Sequence, residues 1–70
     1  MSYLPGQHVI YRQGDGLPKL GARIIRYYPS EDPKKKQPTA DLRVMAEDGE
    51  TEFTVRGSEK NGDVGGWQDA

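Results

Sequence analysis

The stretch of sequence that decides the fold is D-L-R-V-M-A-E-D-G-E-T-E-F-T-V-R, residues 41–56. Apolar and polar residues alternate on both sides of Asp48-Gly49, as is typical of strands with one buried face. An Asp-Gly pair between two such runs favours a tight turn, because both residues tolerate positive φ. The pattern therefore predicts a β-hairpin with its alternating apolar residues inward. These residues are Leu42, Val44, Ala46, Phe53 and Val55.

Two further runs with period-2 alternation precede the hairpin, H-V-I-Y-R (residues 8–12) and A-R-I-I-R-Y-Y (residues 22–28). Residues 14–18 (GDGLP) break the chain between them, and Pro29 ends the second run. Shared parity within each strand predicts a core of eight side chains, and it places Tyr28 on the same face as Ile24. The eight are Val9, Tyr11, Ala22, Ile24, Leu42, Val44, Phe53 and Val55.

The remaining sequence indicates an all-β domain. Nine glycines and five prolines among 70 residues, without a 3.6-residue apolar period, argue against helices. Trp67, after Gly65-Gly66, marks a short fifth strand, and its side chain either fills the core or lies exposed at an interface. Four or five twisted antiparallel strands bury one apolar face best by curling. We predict one domain over residues 1–70, a small antiparallel SH3-like partly open barrel of four to five strands.

Residues 29–39 (PSEDPKKKQPT) contain three prolines and no apolar side chain apart from proline. Proline cannot donate to a central ladder, so the segment predicts an exposed, mobile loop. Lys34, Lys35 and Lys36 make it a candidate basic loop.

Composition excludes several classes of protein. There is no cysteine, and no apolar run is long enough for a membrane span or the core of a signal peptide. His8 is the only histidine, which removes multi-histidine metal sites, and no serine lies in a nucleophile turn. The glycine-rich segments do not lead from a strand into a helix, as a phosphate cradle requires. We expect no enzymatic activity, no cofactor and no metal.

The face opposite the predicted core carries apolar residues and arginines, a composition typical of protein interfaces. Residues 1–38 hold seven basic and three acidic residues, whereas residues 39–70 hold three basic and eight acidic ones. This layout favours a protein partner or self-association. Nucleic acid is the alternative, which the pI of about 5.7 and the acidic second half oppose. The candidate partner-binding residues are Ile10, Arg12, Arg23, Ile25, Tyr27 and Met45.

Four motifs carry a resemblance to known sequences: V-x-Y (residues 9–11), A-x-I-I (22–25), D-L-x-V-x-x-x-x-G (41–49) and G-G-W (65–67). With a hairpin return through Phe53, they span nearly the whole chain. In these motifs the chain resembles a group of short uncharacterised proteins encoded by tailed bacteriophages. The resemblance implies a phage origin and a small β fold, and it assigns no catalytic residue.

Together these observations predict a non-enzymatic phage protein that acts through protein–protein contacts. We expect a virion accessory component of the capsid, connector or tail, located in the host cytoplasm or the virion and not secreted by a signal peptide. A host-directed inhibitor of a defence protein and a small nucleic-acid-binding barrel are the alternatives.

Overall fold

The computed structural model describes residues 3–32 and 34–70, which form five antiparallel strands and, within these ranges, no helix. The strands are β1 (His8–Arg12), β2 (Leu20–Tyr28), β3 (Thr39–Met45), β4 (Glu52–Glu59) and β5 (Gly66–Asp69). They form one sheet in the order β4-β3-β2-β1-β5. The first four strands are therefore a meander, and β5 returns to the far side of β1.

The sheet curls until its two edge strands approach each other. Tyr11 of β1 pairs with Trp67 of β5, which confirms the fifth strand. On the other side of β5, Lys60, the residue that follows β4, forms one parallel bridge with Trp67. The chain is thus an all-β, SH3-like partly open barrel, as predicted, with an incomplete seam between β4 and β5.

The buried side chains confirm most of the positions that the alternation pattern predicted to face inward. Of the eight predicted core residues, five are buried and two, Tyr11 and Val55, are partly buried against them. Phe53 was predicted inside but is 38% exposed, because among the described residues no strand pairs with the outer edge of β4. The core also contains residues outside the eight. The buried apolar residues are Tyr3, Val9, Leu20, Ala22, Ile24, Ala40, Leu42, Val44 and Trp67.

Two β-bulges flank Asp41 of β3, one in each of the neighbouring strands β2 and β4. Ile25 is an extra residue in β2, since Ile24 pairs with Leu42 and Arg26 already pairs with Asp41. On the other side, Arg56 and Gly57 of β4 together oppose Asp41. A bulge bends its strand and increases the local twist, which helps the sheet to curl.

The bulge at Ile25 also reverses the parity of the tyrosines that follow it. Tyr27 pairs with the buried Ala40 and packs against the core, although the sequence placed it on the outer face. Tyr28, expected beside Ile24 on the inner face, is exposed. An extra residue in a strand exchanges the faces of all later side chains, and strict alternation does not reveal it.

The predicted hairpin between β3 and β4 is confirmed, with a wider turn than a two-residue loop. The amide of Ala46 donates to the carbonyl of Thr51 at 2.7 Å, and Gly49 has φ +74°. The Asp48 carboxylate accepts the amides of Thr51 and Glu50 at 2.8 and 2.9 Å. These bonds lower the pKa of Asp48 and explain why an aspartate occupies the turn.

The loop between β2 and β3 is exposed over most of its length, and Thr39 already belongs to β3. The carbonyl of Asp32 accepts the amides of Lys35 and Lys36, at 3.0 and 2.9 Å, which makes a local turn. Pro33, one of the three prolines of the predicted loop, lies outside the described residues. The mobility of the loop stays a prediction.

Candidate interaction face

The outer face of the sheet carries a row of basic side chains across neighbouring strands. His8 pairs with Arg23, Arg23 pairs with Arg43, and Arg43 pairs with Thr54. Side chains directly opposite each other in a sheet lie on the same face within about 5.5 Å, where like charges repel. Arg23 and Arg43 are the like charges that oppose each other in this row, and Glu52 lies beside Arg43.

A hollow of about 850 Å³ adjoins this row. Gly21 has no side chain to fill it, and a Cβ at that position would contact His8 Nε2 at 3.4 Å. Met45, which is 38% exposed, gives the hollow an apolar wall. Its lining includes Gly21, Met45, His8, Arg23, Arg43 and Glu52. A hollow with an apolar wall and charged side chains of both signs around it suits an apolar side chain flanked by polar groups.

Ile25 is exposed on the same face, at the bulge of β2. Its side chain is 43% exposed, more than that of any other apolar residue described in β1, β2 or β3. Its neighbour Arg26 lies near Asp41 in β3, as does Arg56 of β4. An exposed apolar side chain among arginines is the composition enriched at interface hot spots.

Asp41 is the acidic residue at the centre of this face, and its carboxylate is engaged within the sheet. It accepts the Gly57 amide at 3.0 Å and the Tyr28 hydroxyl at 2.9 Å. The bond from Gly57 and then that from Tyr28 lower the pKa of Asp41, with smaller contributions from Arg56 and Arg26. The carboxylate therefore links β3 to the bulge of β4 and to the last residue of β2.

The arginines of this face are only partly neutralised. Arg43 Nη1 lies 3.4 Å from Glu52 Oε2, and both side chains are about half exposed, so solvent screens the pair. Within the described ranges, Arg23, Arg26 and Arg56 form no salt bridge. The face thus keeps a local excess of positive charge in a chain whose net charge is −1.

The structure brings some of the predicted partner-binding residues together and separates others. Arg23, Ile25 and Met45 share the outer face, and Ile10 is half-buried there in β1. Arg12 is instead engaged with the loop before β5, through Asp63 at 3.6 Å and the Asn61 carbonyl at 3.4 Å.

Tyr27 lies inside the barrel, so it does not belong to this face. The basic loop adjoins the face through Tyr28, which binds Asp41 and also lines a smaller hollow with Lys35 and Lys36. Lys34 is exposed on the same loop.

Contributors to the face that were not among the predicted site residues include Gly21, Arg26, Arg43 and Arg56. Arg43 and Arg56 belong to the acidic half of the sequence, where a charge count by halves gives no sign of a basic face. Alternation within β3 and β4 already placed both arginines outward. The hollow over Gly21 depends on how three strands align, which the sequence does not show.

Comparisons of the chain with protein-family models, with curated proteins and with solved structures give no match. In residues 3–32 and 34–70, no three histidine, aspartate or glutamate side chains are grouped as ligands for a metal ion. The same residues contain no helix long and apolar enough to cross a membrane.

Proposed function

We propose that this chain is a non-enzymatic phage protein that acts through protein–protein contacts, as an accessory component of the capsid, connector or tail. The interaction role rests on one observation: exposed Ile25 and Met45 share a face with the hollow over Gly21 and with Arg23, Arg26 and Arg56, which form no salt bridge with another described residue. Apolar anchors and arginines are the side chains from which interfaces draw most of their binding energy. The resemblance to tailed-phage proteins supports the particle as the place of action.

The test is to purify particles from host cells infected with the phage that encodes this chain, and to quantify the protein by mass spectrometry. We expect it in the particles at a fixed copy number. Ile25→Asp, which places a charge on the face, and Gly21→Leu, which fills the hollow, should each deplete it strongly.

Leu17→Asp is the matched control, because Leu17 is 56% exposed but lies in the β1–β2 loop. It should leave incorporation unchanged. Equal incorporation of all three variants would exclude the outer face as the binding surface, and absence of the protein from particles would exclude the virion role.

The host-directed alternative, a small inhibitor of a defence protein, uses the same face. It predicts that the protein stays outside particles while a host protein copurifies with it. Loss of that host protein on Ile25→Asp, with retention on Leu17→Asp, would support this alternative.

Nucleic-acid binding is a second candidate, because the outer face gathers four arginines: Arg23, Arg26, Arg43 and Arg56. Fluorescence anisotropy with DNA and RNA oligonucleotides over a salt series tests it. Each phosphate contact adds nearly one unit to the slope of log affinity against log salt. Steeply salt-dependent binding that replacement of Lys34–Lys36 by alanine removes, and that Ile25→Asp leaves intact, would favour this candidate over a protein partner.

A further inference from the structure

We propose that β4 is a self-association edge, which pairs antiparallel with β4 of a second copy about a two-fold axis at Thr54. The inference uses the seam of the barrel rather than the outer face of β2 and β3, so it stands independently of the particle role. A two-fold contact of this kind closes on itself and gives a dimer.

The first half of β4 offers its backbone to such a partner. Within the described residues the first half of β4 pairs with β3, and the contacts of β5 lie at the other end, where Trp67 bonds the Ser58 carbonyl and bridges to Lys60. The bond from the Ala46 amide to the Thr51 carbonyl shows which residues of β4 direct their backbone N–H and C=O groups toward β3. Because bonding direction alternates along an antiparallel strand, the N–H and C=O groups of Glu52 and Thr54 point away from β3.

The sequence of this edge is complementary to itself. With the axis at Thr54, Glu52 faces Arg56 of the second copy, and Phe53 faces its Val55. The charged pairs fall on the outer face and the apolar pairs on the inner face, because β4 alternates between the two. Opposite charges and aromatic–β-branched pairs are both favourable cross-strand neighbours.

The same pairing covers the apolar surface that the seam leaves exposed. Phe53 is 38% exposed, and its only aromatic neighbour among the described residues is Tyr11, at 6.1 Å between ring centroids. An edge strand with unpaired backbone and exposed apolar side chains is a template for another strand.

Charge complementarity favours β4 of a second copy as the strand that pairs with this edge, and it also favours one alignment of the two strands. Moving the axis to Phe53 places Glu52 opposite Thr54, and moving it to Val55 places Arg56 opposite Thr54. Either shift loses the Glu52–Arg56 pairs, and with the axis at Phe53 Arg56 faces instead Glu50, which lies in the turn outside β4. The axis at Thr54 is the register near the middle of this edge that pairs Glu52 with Arg56, both within β4, and places each phenylalanine opposite a valine.

Sedimentation equilibrium over a concentration series tests the proposal through charge reversal. Arg56→Glu sets like charges against each other at two places in the dimer, as does Glu52→Arg, so each variant alone should dimerise about tenfold more weakly. An equal mixture of the two variants should associate with wild-type affinity, because every glutamate then faces an arginine. This rescue separates edge pairing from any effect on the Arg43–Glu52 ion pair within one copy.

Thr54→Pro gives an independent test. Proline at this position removes an outward N–H without removing a bond to β3, so the fold should persist, as thermal melting would show. Dimerisation should be lost. A wild-type chain that stays monomeric through the concentration series, or variants and mixture that associate alike, would overturn the proposal.

Discussion

The bulges at Asp41 divide the barrel into two regions of one sheet. In the closed region β4 and β5 contact each other across the seam, and in the open region they do not. The open region contains the cross-strand rows Ala22–Val44–Phe53 and Ile24–Leu42–Val55. The closed region contains the row Tyr27–Ala40–Ser58, together with Trp67 and Tyr3. Each region has a large inward aromatic side chain, yet Trp67 is fully buried and Phe53 is 38% exposed.

Hydrogen bonds and aromatic contacts close the seam around Trp67. The Trp67 indole N–H donates to the Ser58 carbonyl at 2.9 Å, and the Ser58 hydroxyl donates to the Gly65 carbonyl at 2.8 Å. The Tyr3 ring meets the indole edge-on at 4.9 Å between centroids. These contacts join the end of β4, the strand β5 and the N-terminal segment around one side chain.

The N-terminal segment is itself held over this cluster. The Tyr3 hydroxyl donates to Asp69 at 2.6 Å, and the Lys60 ammonium lies 5.2 Å from the centre of the Tyr3 ring. Contact with Tyr3, and to a smaller extent the charge of Asp69, raise the pKa of Lys60. The comparison with Phe53 shows that inward parity does not suffice for burial, which also needs a strand or segment beyond the edge.

The largest expected effect is therefore in the closed region. Trp67→Ala removes the fully buried ring and leaves the Ser58 carbonyl without its donor, so it should cost about 3–5 kcal/mol. A 70-residue domain has little stability to spare, and the variant should be largely unfolded by circular dichroism at room temperature. Trp67→Phe, which keeps most of the volume, should recover part of the loss. A cooperative melt of Trp67→Ala at the wild-type temperature would show that this cluster does not hold the barrel together.

The open region is the part of the fold that the sequence predicts best. Alternation places Val44 and Ile24 correctly, because β3 and β2 are regular up to the bulges and have neighbours on both sides. The exposure of Phe53 was missed because strand order decides which strand becomes an edge, and alternation contains no information on strand order.

The closed region was predicted less well, for local and for long-range reasons. The bulge at Ile25 leaves no mark in the alternation of apolar residues, so Tyr27 and Tyr28 were placed on each other's faces. The burial of Tyr3 depends on Asp69, Lys60 and Trp67 at the other end of the chain. The candidate face was also predicted only in part. The alternation pattern predicts that Ile25 and Met45 face outward, but the hollow over Gly21 exists only when three strands are aligned, which the sequence does not show.

The next effect tests the register of the open region. Val44 is fully buried and pairs with Phe53, whereas Met45 is exposed on the outer face. Val44→Ala should cost about 1–3 kcal/mol in urea unfolding, through lost transfer energy and a small cavity. Met45→Ala is the matched control and should change stability far less. The reverse order would mean that β3 is displaced by one residue.

Asp41 lies at the boundary between the regions, and its replacement should loosen both bulges. Asp41→Ala removes the acceptor of the Gly57 amide and the Tyr28 hydroxyl, with an expected cost of about 1–2 kcal/mol at neutral pH because the site is partly exposed to solvent. The lowered pKa of Asp41 gives the cost a pH dependence. Its stabilisation is present above the ordinary value of 3.8 and is lost as the pH falls through the lowered value in the folded protein.

Urea unfolding of wild type and Asp41→Ala at neutral and acidic pH measures this dependence. The difference between the two proteins should shrink below pH 3.8. Asp15→Ala, in the exposed β1–β2 loop, is the control and should differ little from wild type at either pH. A gap between wild type and Asp41→Ala that stays constant with pH would mean that the charged carboxylate is not what holds the bulges.

The smallest effect is expected at Phe53, and it completes the comparison with Trp67. Truncation at the open seam leaves no closed cavity, because solvent already reaches the ring, so Phe53→Ala should lose only the transfer term, about 1 kcal/mol or less. The measurement is thermal or urea unfolding at protein concentrations low enough for a monomer, since pairing of two β4 edges would bury the ring. A cost close to that of Trp67→Ala at those concentrations would mean that Phe53 is buried within one copy. The seam would then be closed along its whole length, and β4 would have no open edge.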